Sequence, residues 1–169
     1  MNTIGKRYGV LAVCSALLIA LDQWAKSMAY NTLRVNGPLV LIKGVFELLY
    51  SENRGAAFGI LQGKQILLIL VTSVVLAILL VLLVLKKIPG RFLPWMVGIV
   101  IAGGIGNLLD RIFRGFVVDY LDFCWIHYPV FNFADCCVVV GVFIIAGYVL
   151  WNEKKQGKME VQPPEGKSK

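Results

Sequence analysis

Charged residues are scarce in this sequence. Asp, Glu, Lys and Arg make up 16% of its 169 residues, whereas soluble domains usually carry about 25%. Hydrophobic residues account for 58% of the chain, which excludes an ordinary soluble domain and predicts a membrane protein. The net charge of +7 is not gathered into one basic patch, so we expect no nucleic-acid partner.

Histidine is rare as well, and no two cysteines stand in a C-x-x-C pair. His127 is the single histidine, so the chain offers no set of histidine ligands, and we expect neither a metal nor another cofactor. Four cysteines could indicate a membrane thiol oxidoreductase, but Cys14, Cys124, Cys136 and Cys137 form no C-x-x-C pair. Their spacing favours small apolar packing residues instead.

Long uncharged runs are the main feature that is present. Ile66–Leu85 and Phe92–Leu109 hold 20 and 18 residues without a charge, enough to cross a hydrocarbon core of roughly 30 Å. Tyr8–Leu21 becomes long enough if the helix continues past Asp22, and Cys136–Trp151 if it begins a few residues earlier. The sequence therefore predicts an all-α membrane protein with four transmembrane helices.

The basic residues predict the orientation. With the amino terminus inside, ten of the 17 Lys and Arg residues lie at inner ends or loops and seven at outer ones. We therefore expect both termini in the cytoplasm. Residues 1–152 then form one membrane domain, and the polar segment 153–169, with Pro163 and Pro164, is expected to be a disordered cytoplasmic tail.

The segment 29–63 is the longest outer loop. It contains β-favouring runs bounded by glycines, which predict a small strand pair or sheet on the outer membrane surface. Gly55 and Gly59 bracket the turn into the second membrane helix. The stretch "FRGFVVDYLDF" predicts a further extended segment with Gly115 as its turn. The fold class is thus four membrane helices with a small β-rich region on the outer face.

Polar residues gather at the outer level of this arrangement, although they come from separate segments. They are Asp22, Lys26, Glu52, Asn53, Arg54, Asn107, Asp110, Arg111, Asp119, Asp122, Asn132 and Asp135. Ionisable groups at membrane segments are expensive and indicate a functional site. Asp22 and Lys26 stand four apart, so an ordinary helical ion pair and a role at the site both remain open. Asp110 is expected to pair with Arg111 and Arg114.

Asp119 and Asp135 have no neighbouring cation in the sequence, whereas Asp122 should face away from Asp119 on an extended segment. Two carboxylates in apolar surroundings cannot both ionise easily, so the pair supplies an acid and a base together. This is the chemistry of aspartic peptidases. A transporter with Asp135 and Asp22 as proton relays is the alternative, but it predicts acids near mid-membrane rather than at the outer end.

Five ordered motifs resemble those of the bacterial lipoprotein signal peptidases, or signal peptidase II. They are "LDQWAK" at 21–26, "ENRGAAFG" at 52–59, "GGIGNLLDR" at 103–111, "GFVVDYLDF" at 115–123 and "FNFAD" at 131–135. The resemblance runs from the first to the fourth helix. It implies four helices, cytoplasmic termini in the bacterial cytoplasmic (inner) membrane and an active site near the outer face.

The resemblance also implies an activity. It is that of an aspartic endopeptidase that cleaves diacylglyceryl-modified prolipoproteins before the lipidated cysteine, with Asp119 and Asp135 as the catalytic pair. Substrate-binding or site-supporting positions fall on Asp22, Asn53, Gly55, Asn107, Arg111 and Asn132, and Lys26 joins them from the first motif. The expected partners are the lipid-modified prolipoprotein and membrane lipids, and the chain is expected to act as a monomer.

Overall fold

Helices dominate the computed structural model, which describes residues 3–56, 60–126 and 128–160. The helices are α1 (Thr3–Met28), the one-turn α2 (Arg34–Asn36), α3 (Gln65–Val84), α4 (Leu93–Phe113) and α5 (Phe133–Glu160). Within these ranges, α1, α3, α4 and α5 contribute four spans that are long and apolar enough to cross a membrane. The predicted membrane architecture is confirmed.

The first membrane helix continues well past Asp22. A π-helical turn, Ala29–Leu33, follows α1 and leads directly into α2. The helix ends at Gly37, whose φ of 82° lies in the left-handed region that glycine adopts without strain. The loop between the first and second membrane helices therefore begins later than the sequence predicted, because the residues after Met28 continue the helix.

The loops that follow α1 and α4 form a three-stranded antiparallel sheet, and a small sheet was predicted. Its strands are β1 (Leu39–Ile42), β2 (Phe46–Asn53) and β3 (Val117–Asp122), in the order β1-β2-β3. Gly115, with φ of 79°, makes the predicted turn before β3. In the register of β2 against β3, Ser51 is paired with Asp119 and Asn53 with Val117. The sheet thereby brings the end of β2 beside Asp119.

Helix α4 occupies the centre of the bundle, where it packs against α1, α3 and α5. Its glycines allow neighbouring segments to approach closely. A Cβ added at Gly103 would lie 2.4 Å from the carbonyl oxygen of Ala134, and one added at Gly106 would lie 2.5 Å from Oδ2 of Asp22. Small residues are required here because backbones meet directly, as is usual for helices packed in lipid.

The carboxyl-terminal end differs from the prediction. Helix α5 continues to Glu160, past residue 152, where the membrane domain was predicted to end. The segment 153–160 contains Glu, Lys and Gln, which are good helix formers, and the prolines come only later. Disorder stays a prediction for residues 161–169, which lie outside the described residues, as do Gly59 and His127.

Candidate active site

Polar side chains from α1, β2, α4, β3 and the start of α5 meet at the end of the bundle that carries the sheet. Six of them are buried, each with an exposed fraction of 9% or less: Asp22, Lys26, Asn107, Asp110, Asp119 and Asn132. Buried polar groups are costly unless hydrogen-bonded, so their partners determine what the cluster does.

Asp119 lies on β3 with both carboxylate oxygens engaged. Its Oδ2 accepts a hydrogen bond from Nδ2 of Asn53 at 2.9 Å, and its Oδ1 accepts one from Nδ2 of Asn132 at 2.6 Å. Asn53 is oriented in turn, because its Oδ1 accepts the backbone N–H of Gly55 at 2.9 Å. The glycine in "ENRG" thus fixes which end of the asparagine faces the carboxylate.

Asp135 lies in the first turn of α5. Its Oδ1 accepts a hydrogen bond from Nδ2 of Asn107 at 2.7 Å, and its Oδ2 accepts the backbone N–H of Asn132 at 3.1 Å. The side-chain oxygen of Asn132 accepts the backbone N–H of Asp135 at 3.0 Å. This exchange is a capping box, in which the N-cap residue and the residue three positions later satisfy each other's backbone donors.

Asn132 links the two carboxylates that the sequence paired. Its Nδ2 donates to Asp119 and also to Oδ1 of Asn107, which lies 3.1 Å away. Asp119 and Asp135 both line one cavity of about 320 Å³. Burial raises the pKa of Asp119 to about 7, and the nearby charge of Asp135 adds to the effect. A proton on Asp119 is therefore available near neutral pH.

Lys26 is fully buried beneath this pair. Its Nζ lies 2.9 Å from Oδ2 of Asp22 and 3.5 Å from Oδ2 of Asp110, and it donates to Oδ1 of Asn107 at 2.8 Å. The other oxygen of Asp22 accepts the backbone N–H of Ala134 at 2.9 Å. The helical ion pair of Asp22 and Lys26 does form, and the same two residues also hold α4 and α5 at the site.

Asp110 binds only part of the expected cation set. Its Oδ1 lies 2.9 Å from Nη1 of Arg114, as predicted, and its Oδ2 accepts the backbone N–H of Val118 at 3.0 Å. Arg111 turns elsewhere, and its Nη2 donates to the carbonyl oxygen of Gly55 at 3.1 Å. The expectation for Arg111 was wrong because adjacent residues on a helix do not face each other.

Comparison with known proteins shows the family to which the chain belongs. The profile of the family described as Signal peptidase (SPase) II matches residues 14–151. A lipoprotein signal peptidase of Halothermothrix orenii is 44% identical over 142 residues, which cover 83% of this chain and 94% of that protein. One of Clostridium acetobutylicum is 39% identical over 154 residues, covering 89% and 99%. The chain belongs to the signal peptidase II family.

Solved structures agree with this membership. A bacterial membrane enzyme determined by the in meso method at 2.3 Å has a TM-score of 0.79 and 25% identity, covering 94% of this chain and 95% of that one. A second, determined by the in meso method at 1.9 Å, has a TM-score of 0.74 and 28% identity, covering 84% and 93%. The signal peptidase is thus a multi-pass membrane protease, and its class is aspartic.

The geometry of this peptidase supports neither a catalytic role for Asp122 nor a thiol oxidoreductase. Asp122 faces away from the cavity and accepts a weak hydrogen bond from the thiol of Cys124, at 3.5 Å. All four cysteines are free, and they lie apart except for the neighbours Cys136 and Cys137. A thiol oxidoreductase would need a pair of cysteines that can form a disulfide.

The cavity of the signal peptidase also has walls that sequence reasoning missed. Gln62, Phe131 and Val139 line it together with the polar residues. Phe131 lies in the motif "FNFAD", but its apolar ring did not mark it as a wall of the site, and Gln62 and Val139 stand in none of the five motifs. The capping box was different, since the pattern N-x-x-D before an apolar run is a signal for a helix start that could have identified the role of Asn132.

Proposed function

We propose that Asp119 and Asp135 are the catalytic pair of a signal peptidase that removes the signal peptide from diacylglyceryl-modified prolipoproteins. Cleavage occurs before the lipidated cysteine. The observation that carries the proposal is that both carboxylates bind the same asparagine, Asn132, and face one cavity beside the sheet. This is the arrangement in which one carboxyl keeps a proton while its partner is ionised.

The reaction follows from that shared proton. The ionised carboxylate accepts a proton from water as the water oxygen attacks the scissile carbonyl carbon, and the protonated carboxyl gives its proton to the carbonyl oxygen. The tetrahedral intermediate then returns the oxygen-bound proton to one carboxylate, and the peptide nitrogen takes a proton from the other as the C–N bond breaks. Each carboxylate oxygen already accepts one amide hydrogen bond, which leaves a second lone pair for water.

Arg111 is proposed to bind the substrate backbone. It lines the cavity, and its Nε is buried without a hydrogen-bond partner among the residues that the structure describes. A buried donor of this kind is costly when unpaired, so a carbonyl oxygen of the bound peptide is a favourable partner. Its bond to the carbonyl of Gly55 keeps the guanidinium beside the loop that orients Asn53.

The position of the site explains why carboxylates lie among apolar residues. A lipidated prolipoprotein is itself held in the membrane, so its scissile bond arrives at the interface. We propose that the chain lies in the bacterial cytoplasmic (inner) membrane with both termini in the cytoplasm and the cavity near the outer face. We also propose that the chain acts as a monomer surrounded by membrane lipids.

Cleavage of a defined substrate tests the function. The purified chain is incubated in lipid with a prolipoprotein carrying the diacylglyceryl group, and with the same prolipoprotein lacking it. Mass spectrometry should show a free signal peptide and a mature protein beginning with the lipidated cysteine, only for the first substrate. Equal cleavage of both substrates, or a cut at another bond, contradicts the proposed specificity.

Reporter fusions test the orientation. A reporter placed after Lys155 should be active only in the cytoplasm, and one placed near Gly37 only outside, because the basic residues favour inner ends. The opposite pattern places the cavity on the inner face and contradicts the proposed location.

A further inference from the structure

The contact between Lys26 and Asn107 determines how the asparagine amide is turned. An ammonium group can only donate, so the atom of Asn107 that lies 2.8 Å from Nζ must be its oxygen. The amide nitrogen then points the other way, where it donates to Oδ1 of Asp135 at 2.7 Å. A buried cation thus binds one end of an amide whose other end holds a carboxylate.

Asp119 has weaker support, because the charge of Lys26 is the smallest of the causes that lower its pKa and, within the described part of the chain, no cation binds the amides that hold it. The amide that binds its Oδ2 belongs to Asn53, whose oxygen accepts a neutral backbone N–H from Gly55. Asp119 also lies on a strand, and sheets have only small net dipoles. Asp135 lies in the first turn of α5, where the helix dipole favours negative charge. The cation that binds Asn107 and the dipole of α5 therefore both favour ionisation of Asp135 over ionisation of Asp119.

We propose that Lys26 is a positioning residue that, through Asn107, keeps Asp135 the ionised member of the pair and leaves the shared proton on Asp119. This inference rests on the proposed function, since it assigns the two roles within that reaction. Asp135 then takes the proton from water, and Asp119 protonates the carbonyl oxygen of the scissile bond.

The raised pKa of Asp119 agrees with this assignment. Burial and the negative charge of Asp135 raise its pKa to about 7, as a proton-bearing partner requires. The charged groups facing the pair are Asp22 and Lys26 from α1, Glu52 and Arg54 from the end of β2, and Asp110 and Arg111 from α4. Tyr120 and Cys136 lie near Asp135 as well, and phenols and thiols are neutral below about pH 8.

Most of these charged groups have an ion-pair partner nearby, and the ammonium of Lys26 also binds Asn107. Asp22 balances Lys26, Arg114 balances Asp110, and Arg54 pairs with Glu52 at 2.8 Å on the exposed side. Of the first pair, the member in contact with the oxygen of Asn107 is Lys26. Removing that charge should therefore weaken the support for an ionised Asp135 without leaving the asparagine unable to bond.

The test compares two variants by the pH dependence of single-turnover cleavage. Asp22→Asn keeps the ammonium, whereas Asp22→Asn/Lys26→Gln removes it and leaves no unpaired carboxylate at position 22. We expect the acid limb of the double variant to lie higher than that of the single variant by about one pH unit, as loss of a nearby opposite charge predicts. A lower rate with an unchanged acid limb means that Lys26 has a structural role only, and overturns the proposal.

A second measurement does not depend on any variant of Lys26. Asp119→Asn and Asp135→Asn each leave one carboxyl of the pair, whose protonated C=O stretch is isolated by subtracting the infrared spectrum of the doubly substituted chain. We expect the acid band of the remaining Asp119 to persist to higher pH than that of the remaining Asp135. The same or the reverse order overturns the assignment.

These results are distinguishable from failure of the proposed function. A chain that shows the expected infrared order but cleaves no lipidated prolipoprotein contradicts the function and supports the ionisation asymmetry. A chain that cleaves the substrate and shows the reverse order retains the function and loses the role assigned to Lys26.

Discussion

The two ends of α4 are held by different kinds of interaction. Its first half packs through shape, with Val97 and Ile101 in an apolar cluster and Gly98 against the side chain of Leu11. Its second half carries Asn107 and the residues that follow it, and these are bound by directed hydrogen bonds and ion pairs. One helix therefore combines a region that tolerates graded change with a region whose polar side chains, Asn107, Asp110 and Arg111, each have specified partners.

This difference has a physical origin. Loss of an apolar group in a packed region costs free energy in proportion to the space left, because neighbours partly relax. Loss of one partner in a buried polar network leaves the other unsatisfied, and its full desolvation cost remains. The stability of the fold should therefore be more sensitive to small changes in the half of α4 that carries Asn107 than in its first half. Substitutions in the two halves test this contrast.

The largest effect is expected from the two carboxylates. Asn has nearly the same shape as Asp but cannot take up a proton, so Asp119→Asn and Asp135→Asn should each lower single-turnover cleavage by at least about a thousandfold. Both variants should remain folded and still bind lipidated prolipoprotein, because other contacts hold the substrate. Rates are measured on purified protein in lipid.

Asp122→Asn is the matched control for these variants. It lies on the same strand as Asp119 but contacts Cys124 rather than the cavity, so its effect should be far milder. Substantial cleavage by either Asp119→Asn or Asp135→Asn would refute the catalytic pair.

A smaller effect is expected at Arg111. Arg111→Ala removes the bond to the carbonyl of Gly55 and the donor that faces the cavity, so cleavage should fall about 10- to 100-fold, corresponding to one charge-assisted hydrogen bond. Substrate titrations should place most of the loss in KM. Unchanged binding together with an unchanged rate would show that Arg111 has no part in holding the substrate.

Two glycine substitutions compare the halves of α4 directly. Gly106→Ala places a Cβ 2.5 Å from Oδ2 of Asp22, a side chain held by Lys26 and by the backbone N–H of Ala134, so thermal unfolding should show a loss of about 1–3 kcal/mol. Gly98→Ala meets Leu11 at 3.0 Å, and a side chain can turn, so its loss should stay below about 1 kcal/mol. Equal losses at both positions would contradict the contrast between the two halves.

The smallest effect is expected from the cysteines. Cys14, Cys124, Cys136 and Cys137 are free thiols with no part in the proposed reaction, so replacing all four with Ala or Ser should leave cleavage within about twofold of the native rate. Measurement at saturating substrate separates rate from binding. A folded variant that has lost turnover would revive the thiol mechanism.

Local sequence patterns predicted the parts of the fold that depend on one segment at a time. The four uncharged runs, the glycine turn before β3 and the pair of Asp110 with Arg114 follow from periodicity or from spacing along one helix. The extension of α1 through a π-helical turn was not predicted, because Asn31, Thr32 and Val35 have low helix propensity and favour a loop after Met28.

Contacts between segments were beyond local patterns. Asp119 and Asp135 were singled out by the absence of neighbouring cations, but Lys26 reaches Asp110 and Asn107 only because Gly106 lets α1 and α4 come together. The sequence separation of these residues carries no signal of that approach. Likewise, Asn53 meets Asp119 through the register of β2 and β3, which the sequence alone does not determine.

The capping box at the start of α5 has a consequence for inhibition. Asp135 binds the backbone N–H of Asn132 and so helps to begin the helix on which it lies. A substitution that removes this carboxylate to escape an inhibitor also leaves the backbone N–H of Asn132 without its partner at the start of the helix. Under the proposed catalytic role of Asp135, resistance by a single change at this position is therefore penalised both in chemistry and in folding.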